Sequence, residues 1–118
     1  MKKLLLILIC SFLSFQSHGW EPIGTTGGGG NSFYIDKIKR SGDQVYFWSL
    51  NNNTDGTSDM MRFRVDCFSE KMRVVKFLQF SNKWGKGKRL HEGDGDGRDQ
   101  YPPPGSILEK YYNFVCSN

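Results

Sequence analysis

One segment combines several cations with a tryptophan. It reads Lys83-Trp84-Gly85-Lys86-Gly87-Lys88-Arg89, with four cations in seven residues. Such a cluster attracts anionic partners such as sulfated glycans, lipid head groups or acidic protein surfaces. Arg62 and Arg64 add two cations on the polar side of a predicted strand. The alternative interpretation is that these charges only keep an exposed loop and a sheet edge soluble, since the acids from Glu92 to Asp99 offset much of the field.

Catalytic chemistry finds little support in the remaining residues. Beyond residue 19 the chain has one histidine, His91, in a segment rich in glycine and charge. Catalytic groups need rigid support, which such a segment does not give. The two cysteines of this part, Cys67 and Cys116, are better explained as a structural pair. We therefore expect no enzymatic activity and no cofactor.

A metal site is also not predicted. Asp94-Gly95-Asp96-Gly97-Arg98-Asp99 resembles the start of a calcium loop. The EF-hand pattern requires Asp or Asn at position five, Gly at six and Glu at twelve. These positions hold Arg98, Asp99 and Gly105. The segment is interpreted as a solvated acidic turn, with weak calcium binding as the alternative.

The first nineteen residues have the three parts of a secretory signal peptide. Lys2 and Lys3 precede an apolar run of 12 residues, Leu4–Phe15, and a polar exit ending at Gly19. The run is shorter than the roughly 17–25 residues that a membrane span needs. We expect cleavage after Gly19, with a retained anchor as the alternative. A lipid anchor at Cys10 is disfavoured, because a small residue is wanted before the cysteine and Ile9 stands there.

Cleavage would leave 118 − 19 = 99 residues, enough for a single domain over 20–118. The signal removes two of the 16 basic residues, so 14 face 12 acids and the net charge falls from +4 to +2. That balance does not by itself indicate a polyanion partner. Export also argues against nucleic acid, and no second apolar span follows. We expect a periplasmic or secreted protein of the cell envelope.

Most of the domain carries strand patterns. Met61 to Cys67 alternates, with Met61, Phe63, Val65 and Cys67 on one side and charged residues on the other, as in a strand with one buried face. Three further strands are predicted, at Ser32–Lys39, Gln44–Leu50 and Met72–Phe80. Residues 20–31, with the Gly27–Gly30 run, indicate a flexible loop. Ser81–Tyr101 indicates a long exposed loop, with a short strand around Arg89-Leu90.

A helix is predicted to follow Pro104-Gly105. Ser106 and Glu109 fit a capping box, in which each side chain satisfies a free backbone N–H of the first turn. Leu108, Tyr112 and Val115 share one side of this helix, and Cys116 flanks it. The fold class is therefore α+β, with a small antiparallel sheet and a C-terminal helix packed on it.

The two cysteines fit this arrangement. Cys67 ends the buried side of a strand, and Cys116 lies beside the buried side of the helix. A Cys67–Cys116 disulfide would hold the helix on the sheet, and would be worth about 4 kcal/mol by loop entropy. Two free thiols or an intermolecular bond are the alternatives.

These features, in this order, resemble a known family. The residues that carry the resemblance are Trp20, Phe33-Tyr34-Ile35-Asp36, Ile38, Gly42, Val45, Trp48, Leu50, Arg64-Val65-Asp66-Cys67, Pro104-Gly105-Ser106 and Val115-Cys116. Their order and spacing are similar to the surface-adhesin protein E-like domains of Gram-negative bacteria, over nearly all of residues 20–118.

The resemblance implies an antiparallel sheet with a C-terminal helix held by a disulfide, and a non-enzymatic binding protein. It implies adhesion to host matrix or plasma proteins, surface display through a lipid anchor, and a homodimer. This chain departs from the family where it lacks a convincing lipidation site at Cys10. A periplasmic accessory or structural protein with no adhesive role is therefore the alternative.

Overall fold

The computed structural model describes residues 19–25 and 30–117. All of the predicted signal peptide except Gly19 lies outside these residues, as does most of the Gly27–Gly30 run for which a flexible loop was predicted. No helix in the described ranges has the length and apolar character needed to cross a membrane.

Six strands form one antiparallel sheet in chain order, and one helix follows them. The elements are β1 Glu21–Thr25, β2 Ser32–Ser41, β3 Gln44–Asn52, β4 Ser58–Asp66, β5 Lys71–Asn82, a 3₁₀ turn at Lys83–Gly85, β6 Lys86–Asp94 and α1 Ile107–Cys116. Every strand pairs with its neighbours in sequence, so short turns connect most of the sheet. The predicted α+β class, with the helix at the C-terminus, is confirmed.

The two edge strands differ from the sequence-based prediction. The short strand predicted around Arg89-Leu90 is confirmed but lies in a longer strand, β6, so the prediction of a loop is wrong for the rest of Lys86–Asp94. This strand pairs with β5 through Leu78↔Glu92 and Phe80↔Arg89. All nine residues of β6 are exposed, so the strand leaves no alternation of apolar and polar residues to detect. At the other edge, β1 lies where only a loop was predicted, and it pairs with β2.

The main core lies between one face of the sheet and α1, and we call this side the covered face. Its buried side chains are Ile35, Val45, Phe47, Phe63, Val65, Met72, Tyr111 and Val115. The rings of Phe47 and Phe63 stack at 5.2 Å between centroids, and the Tyr111 ring lies 5.7 and 5.8 Å from them. Aromatic rings at these spacings add attraction beyond the area they bury.

The helix begins much as predicted. Ser106 is the N-cap and its hydroxyl accepts a hydrogen bond from the Glu109 N–H at 3.2 Å. The Glu109 carboxylate reaches back to accept from the N–H of Gly105, one residue before the cap. The predicted apolar side omitted Tyr111, which is the most deeply inserted aromatic of the helix. Burial raises the pKa of the Tyr111 phenol, and a hydrogen bond with Ser49 acts in the opposite direction.

The disulfide Cys67–Cys116 is present, with 5.6 Å between the two Cα atoms. It joins the end of β4 to the last turn of α1 across 49 residues of chain. Beside it, the Tyr112 hydroxyl donates to the Cys67 carbonyl at 3.0 Å. Burial raises the pKa of Tyr112, and the charges of Glu70 and Asp66 add to the effect. The predicted disulfide between the helix and the sheet, which we call the clamp, is thus confirmed.

Candidate binding surface

The face of the sheet opposite to the helix has no second layer of structure in the described ranges, and we call it the open face. Strand alternation sends every second side chain to it. Cross-strand pairing sets these side chains in rows, one of which runs from Trp48 through Arg62 to Lys76. The next row runs from Tyr46 through Arg64 to Arg73. Aromatic and cationic side chains therefore lie side by side over the middle strands.

At one end of the open face, the 3₁₀ turn Lys83–Gly85 folds back over the sheet. Below it lie Leu50, which is fully buried, and Met60. Gly85 is needed here, because its φ is +67° and a Cβ would come within 2.8 Å of the Met60 sulfur. This turn thus covers a second, smaller apolar cluster.

Two buried polar side chains hold the turn in place. The Asn52 Oδ1 accepts a hydrogen bond from the Trp84 N–H at 2.9 Å. The Ser58 hydroxyl accepts from the Gly85 N–H at 2.9 Å and donates to the Asn82 carbonyl at 2.6 Å. Each of these backbone groups would otherwise lose water without gaining a partner. We call this turn the platform, because these hydrogen bonds fix its position where the sequence indicated only an exposed loop.

Trp84 stands on this platform with 39% of its surface exposed. Its ring packs against the Tyr34 ring with 4.7 Å between centroids, so the side chain has a fixed orientation. Its backbone φ is +66°, a value that a bulky residue rarely adopts. Strain of this kind persists only where surrounding contacts impose it, and here the contacts of Asn52 and Tyr34 do so.

The remaining predicted cations of the segment lie along the edge strand β6. Lys86 and Lys88 are exposed, and the Lys88 N–H donates to the Ser81 hydroxyl at 2.8 Å. The Arg89 guanidinium lies 5.7 Å from the centre of the Phe80 ring and 3.6 Å from a Glu92 oxygen. These three cations therefore line an ordered edge of the sheet.

The other two predicted residues, Arg62 and Arg64, lie in the middle of the open face on β4. The Arg62 guanidinium lies 5.4 Å from the centre of the Tyr46 ring. Arg64 faces Asp99, with 3.6 Å between nitrogen and oxygen. Asp99 is shared with Arg73, whose Nε lies 2.9 Å from the same oxygen. The acidic segment thus neutralises part of the basic face, as its sequence indicated.

The structure groups the predicted residues in two places. Trp84 and Arg89 lie at one end of the open face, and Arg62 and Arg64 lie near its centre. The cross-strand pair of Met60 and Leu78 separates the two groups. Sequence reasoning missed five residues of this surface, namely Tyr34, Tyr46, Trp48, Arg73 and Lys76. Their strands were predicted, and the alternation on β3 opposite to Val45 and Phe47 could have identified Tyr46.

No group of three or more His, Cys, Asp or Glu side chains suited to holding a metal ion occurs in residues 19–25 and 30–117. His91 is exposed on β6, across the strand pair from Gln79. The functional groups that the open face displays among the described residues are cations and aromatic rings.

The fold and this surface together define a class: a small disulfide-clamped α+β domain with one covered and one open sheet face. The chain belongs to the surface-adhesin protein E family, whose sequence model matches residues 20–117. The family is one of adhesins, which favours a non-enzymatic protein of the cell envelope.

A solved structure has the same fold. It is the crystal form II structure of Haemophilus influenzae protein E, with a TM-score of 0.69 and 16% sequence identity. The match covers 86% of this chain and 89% of that one. Comparison with curated protein sequences gives no match.

Proposed function

We propose that the chain is an exported binding protein that contacts other proteins, of the host or of the bacterial envelope, through the open face. The observation that carries the proposal is the row of half-exposed aromatic rings and cations on a rigid sheet. Trp, Tyr and Arg are the residues that most often dominate binding energy at protein interfaces. Family membership supports the adhesive role.

The charges of this face favour an acidic partner surface. Arg62 and Lys76 are neighbours across β4 and β5, and within the described ranges neither has a carboxylate in ion-pair contact. The same holds for Lys83, Lys86 and Lys88 along the platform and the edge. Exposed charges mainly raise the rate of association and fix its orientation, and they are screened over about 8 Å at physiological salt.

The first experiment compares two variants of equal charge change. One replaces Lys83, Lys86, Lys88 and Arg89 with Ser. The matched control replaces four exposed cations elsewhere, as Lys37→Asn, Arg40→Ser, Arg98→Ser and Lys110→Ser. Asn replaces Lys37 because the backbone φ at this position is +59°, a conformation that Asn adopts more readily than Ser.

Binding of the oxidised, exported protein is measured by biolayer interferometry on immobilised matrix and plasma proteins, at low and at high salt. The proposal predicts weaker association for the first variant only, and a smaller salt dependence for that variant. Equal loss in both variants would assign the effect to net charge, and unchanged binding in both would remove these four cations from the interface.

Cell fractionation separates adhesion from the alternative of a periplasmic accessory protein. Export through the predicted signal, with no lipid on Cys10, is part of the proposal and is checked by mass spectrometry of the mature N-terminus. Protein found in the soluble periplasm alone favours the accessory role. Protein accessible to added protease on intact cells favours adhesion.

A homodimer is also part of the proposal, by analogy with the family. Sedimentation velocity over a concentration series gives the oligomeric state directly. A monomer at all concentrations would leave the binding proposal intact but would remove the dimer from it.

A further inference from the structure

A cavity of about 320 Å³ lies on the covered face, between the first turn of α1 and the ends of β3 and β4. Its apolar wall includes Phe33, Met61, Ile107 and Leu108. Its polar part includes Asn51 and Asp59, which are paired across the two strands. This volume lies at the lower end of the roughly 300–1,000 Å³ typical of small-molecule sites, which also combine apolar walls with a few polar groups.

Two oxygen atoms in the polar part of the cavity lack hydrogen-bond partners. The Oδ1 atoms of Asn51 and Asp59 are both buried, and neither has a partner in the described part of the chain. The other Asp59 oxygen accepts from the Asn53 amide at 3.1 Å, and Asp59 takes part in no ion pair there. A buried acceptor left without a donor costs about 1–3 kcal/mol, and more when it is charged. Two acceptors, one of them on a carboxylate, therefore lie in the wall of the cavity, and a rotation of either side chain would turn an oxygen into it.

From these contacts we infer that the cavity binds a small organic ammonium compound, with its charged nitrogen at Asp59 and Asn51 and its hydrocarbon part against the apolar wall. Only a donor can satisfy both oxygens, and a cation also balances the carboxylate. The terminal torsion of Asp and Asn side chains is broad, so a small rotation turns either oxygen toward the cavity. This site lies on the opposite side of the sheet from the proposed protein-binding surface.

The test uses three probes of similar hydrocarbon length: n-hexylammonium, hexan-1-ol and hexanoate. Each is titrated into the oxidised, exported protein labelled with ¹⁵N, and amide chemical shifts locate and quantify binding. We expect hexylammonium to shift the amides around Asn51, Asp59 and Ile107 and to bind roughly tenfold more tightly than hexan-1-ol, as a charge-assisted hydrogen bond predicts. Hexanoate should bind more weakly than both.

Two variants locate the charge. Asp59→Asn keeps the shape and should reduce hexylammonium binding to the level of hexan-1-ol, whereas Asp94→Asn, on the exposed edge strand, should leave it unchanged. If Asp59→Asn does not fold, as judged by near-ultraviolet circular dichroism, Val74→Phe provides a second variant that fills the cavity and should weaken all apolar probes.

Three results would overturn the inference. Equal affinity of hexylammonium and hexan-1-ol would show that the carboxylate takes no part. Such a result is also expected if a rotated Asn51 amide donates to Asp59 within the free protein. Shifts confined to the open face, or hexylammonium binding unchanged in Asp59→Asn, would place the ammonium elsewhere.

Discussion

The two faces of the sheet use the same alternating strands for different purposes. On the covered face, buried side chains from β2 to β5 meet one helix and form a continuous apolar core. On the open face, apolar burial is restricted to the end beneath the Lys83–Gly85 turn, and the centre displays cations and rings. Stability is thus concentrated on one face, and the other displays the cations and rings that we propose for protein binding.

Neighbouring residues on β3 give the largest contrast between the faces. Phe47 points to the covered face and is fully buried, whereas Tyr46 points to the open face and is partly exposed. We expect Phe47→Ala to lower the free energy of unfolding by about 3–5 kcal/mol, since it removes a buried aromatic side chain and leaves a cavity. Tyr46→Ala should cost about 1 kcal/mol. Urea unfolding of both variants measures the difference, and similar losses would contradict the division between the faces.

The clamp between α1 and β4 gives the next largest effect. Replacing Cys67 and Cys116 together with Ser should lower the free energy of unfolding by about 2–4 kcal/mol, because the unfolded chain gains freedom over 49 residues. Dithiothreitol should lower the urea midpoint of the wild type toward that of the variant and leave the variant unchanged. A variant as stable as the oxidised wild type would show that packing alone holds the helix.

The covered face could be predicted from the sequence because its signals are local. Met61 to Cys67 alternates cleanly, and Ser106 with Glu109 marks the start of the helix. These patterns were enough to place the two cysteines against each other, and the bond is present. Tyr111 was missed because it projects about 60° to one side of Leu108 around the helix, outside the arc that the selected residues span.

The open face was predicted less completely because its organisation depends on contacts distant in sequence. The turn at Trp84 is fixed by Asn52 and Ser58, which lie 32 and 27 residues away from their partners in the chain. Strand β6 is exposed along its whole length, so only pairing with β5 defines it. The candidate cations were found by composition, whereas their spatial grouping required the sheet register.

The platform under Trp84 provides a test of intermediate size. Asn52→Ala removes the acceptor of the Trp84 N–H, so we expect a loss of about 0.5–1.5 kcal/mol in the free energy of unfolding. Amide exchange at Trp84 and Gly85 should also become faster than in the rest of the sheet. Asn82→Ala, which removes an exposed amide next to the same turn, is the control and should have little effect. Unchanged exchange in Asn52→Ala would show that the turn does not depend on this acceptor.

The smallest effect concerns pH and the turn that carries Cys67. The Asp66 carboxylate accepts hydrogen bonds from the N–H groups of Ser69 and Phe68 and from the side-chain amide of Gln44. The bond from the Ser69 N–H is the main reason why the pKa of Asp66 is lowered. The folded state has the lower pKa, so its stabilising effect is complete above the unfolded value of about 3.9 and is lost as the pH falls through the folded value.

Asp66→Asn should therefore lower the urea midpoint at pH 7 slightly and bring it close to that of the wild type at pH 2. Asp43→Asn, in the neighbouring β2–β3 turn, is the control and should follow the wild type at both pH values. Core contacts such as Phe47 with Phe63 do not titrate, so these contacts contribute nothing to this difference. If the Asp66→Asn and wild-type midpoints differed equally at both pH values, the turn would be stabilised by the shape of the side chain and not by its charge.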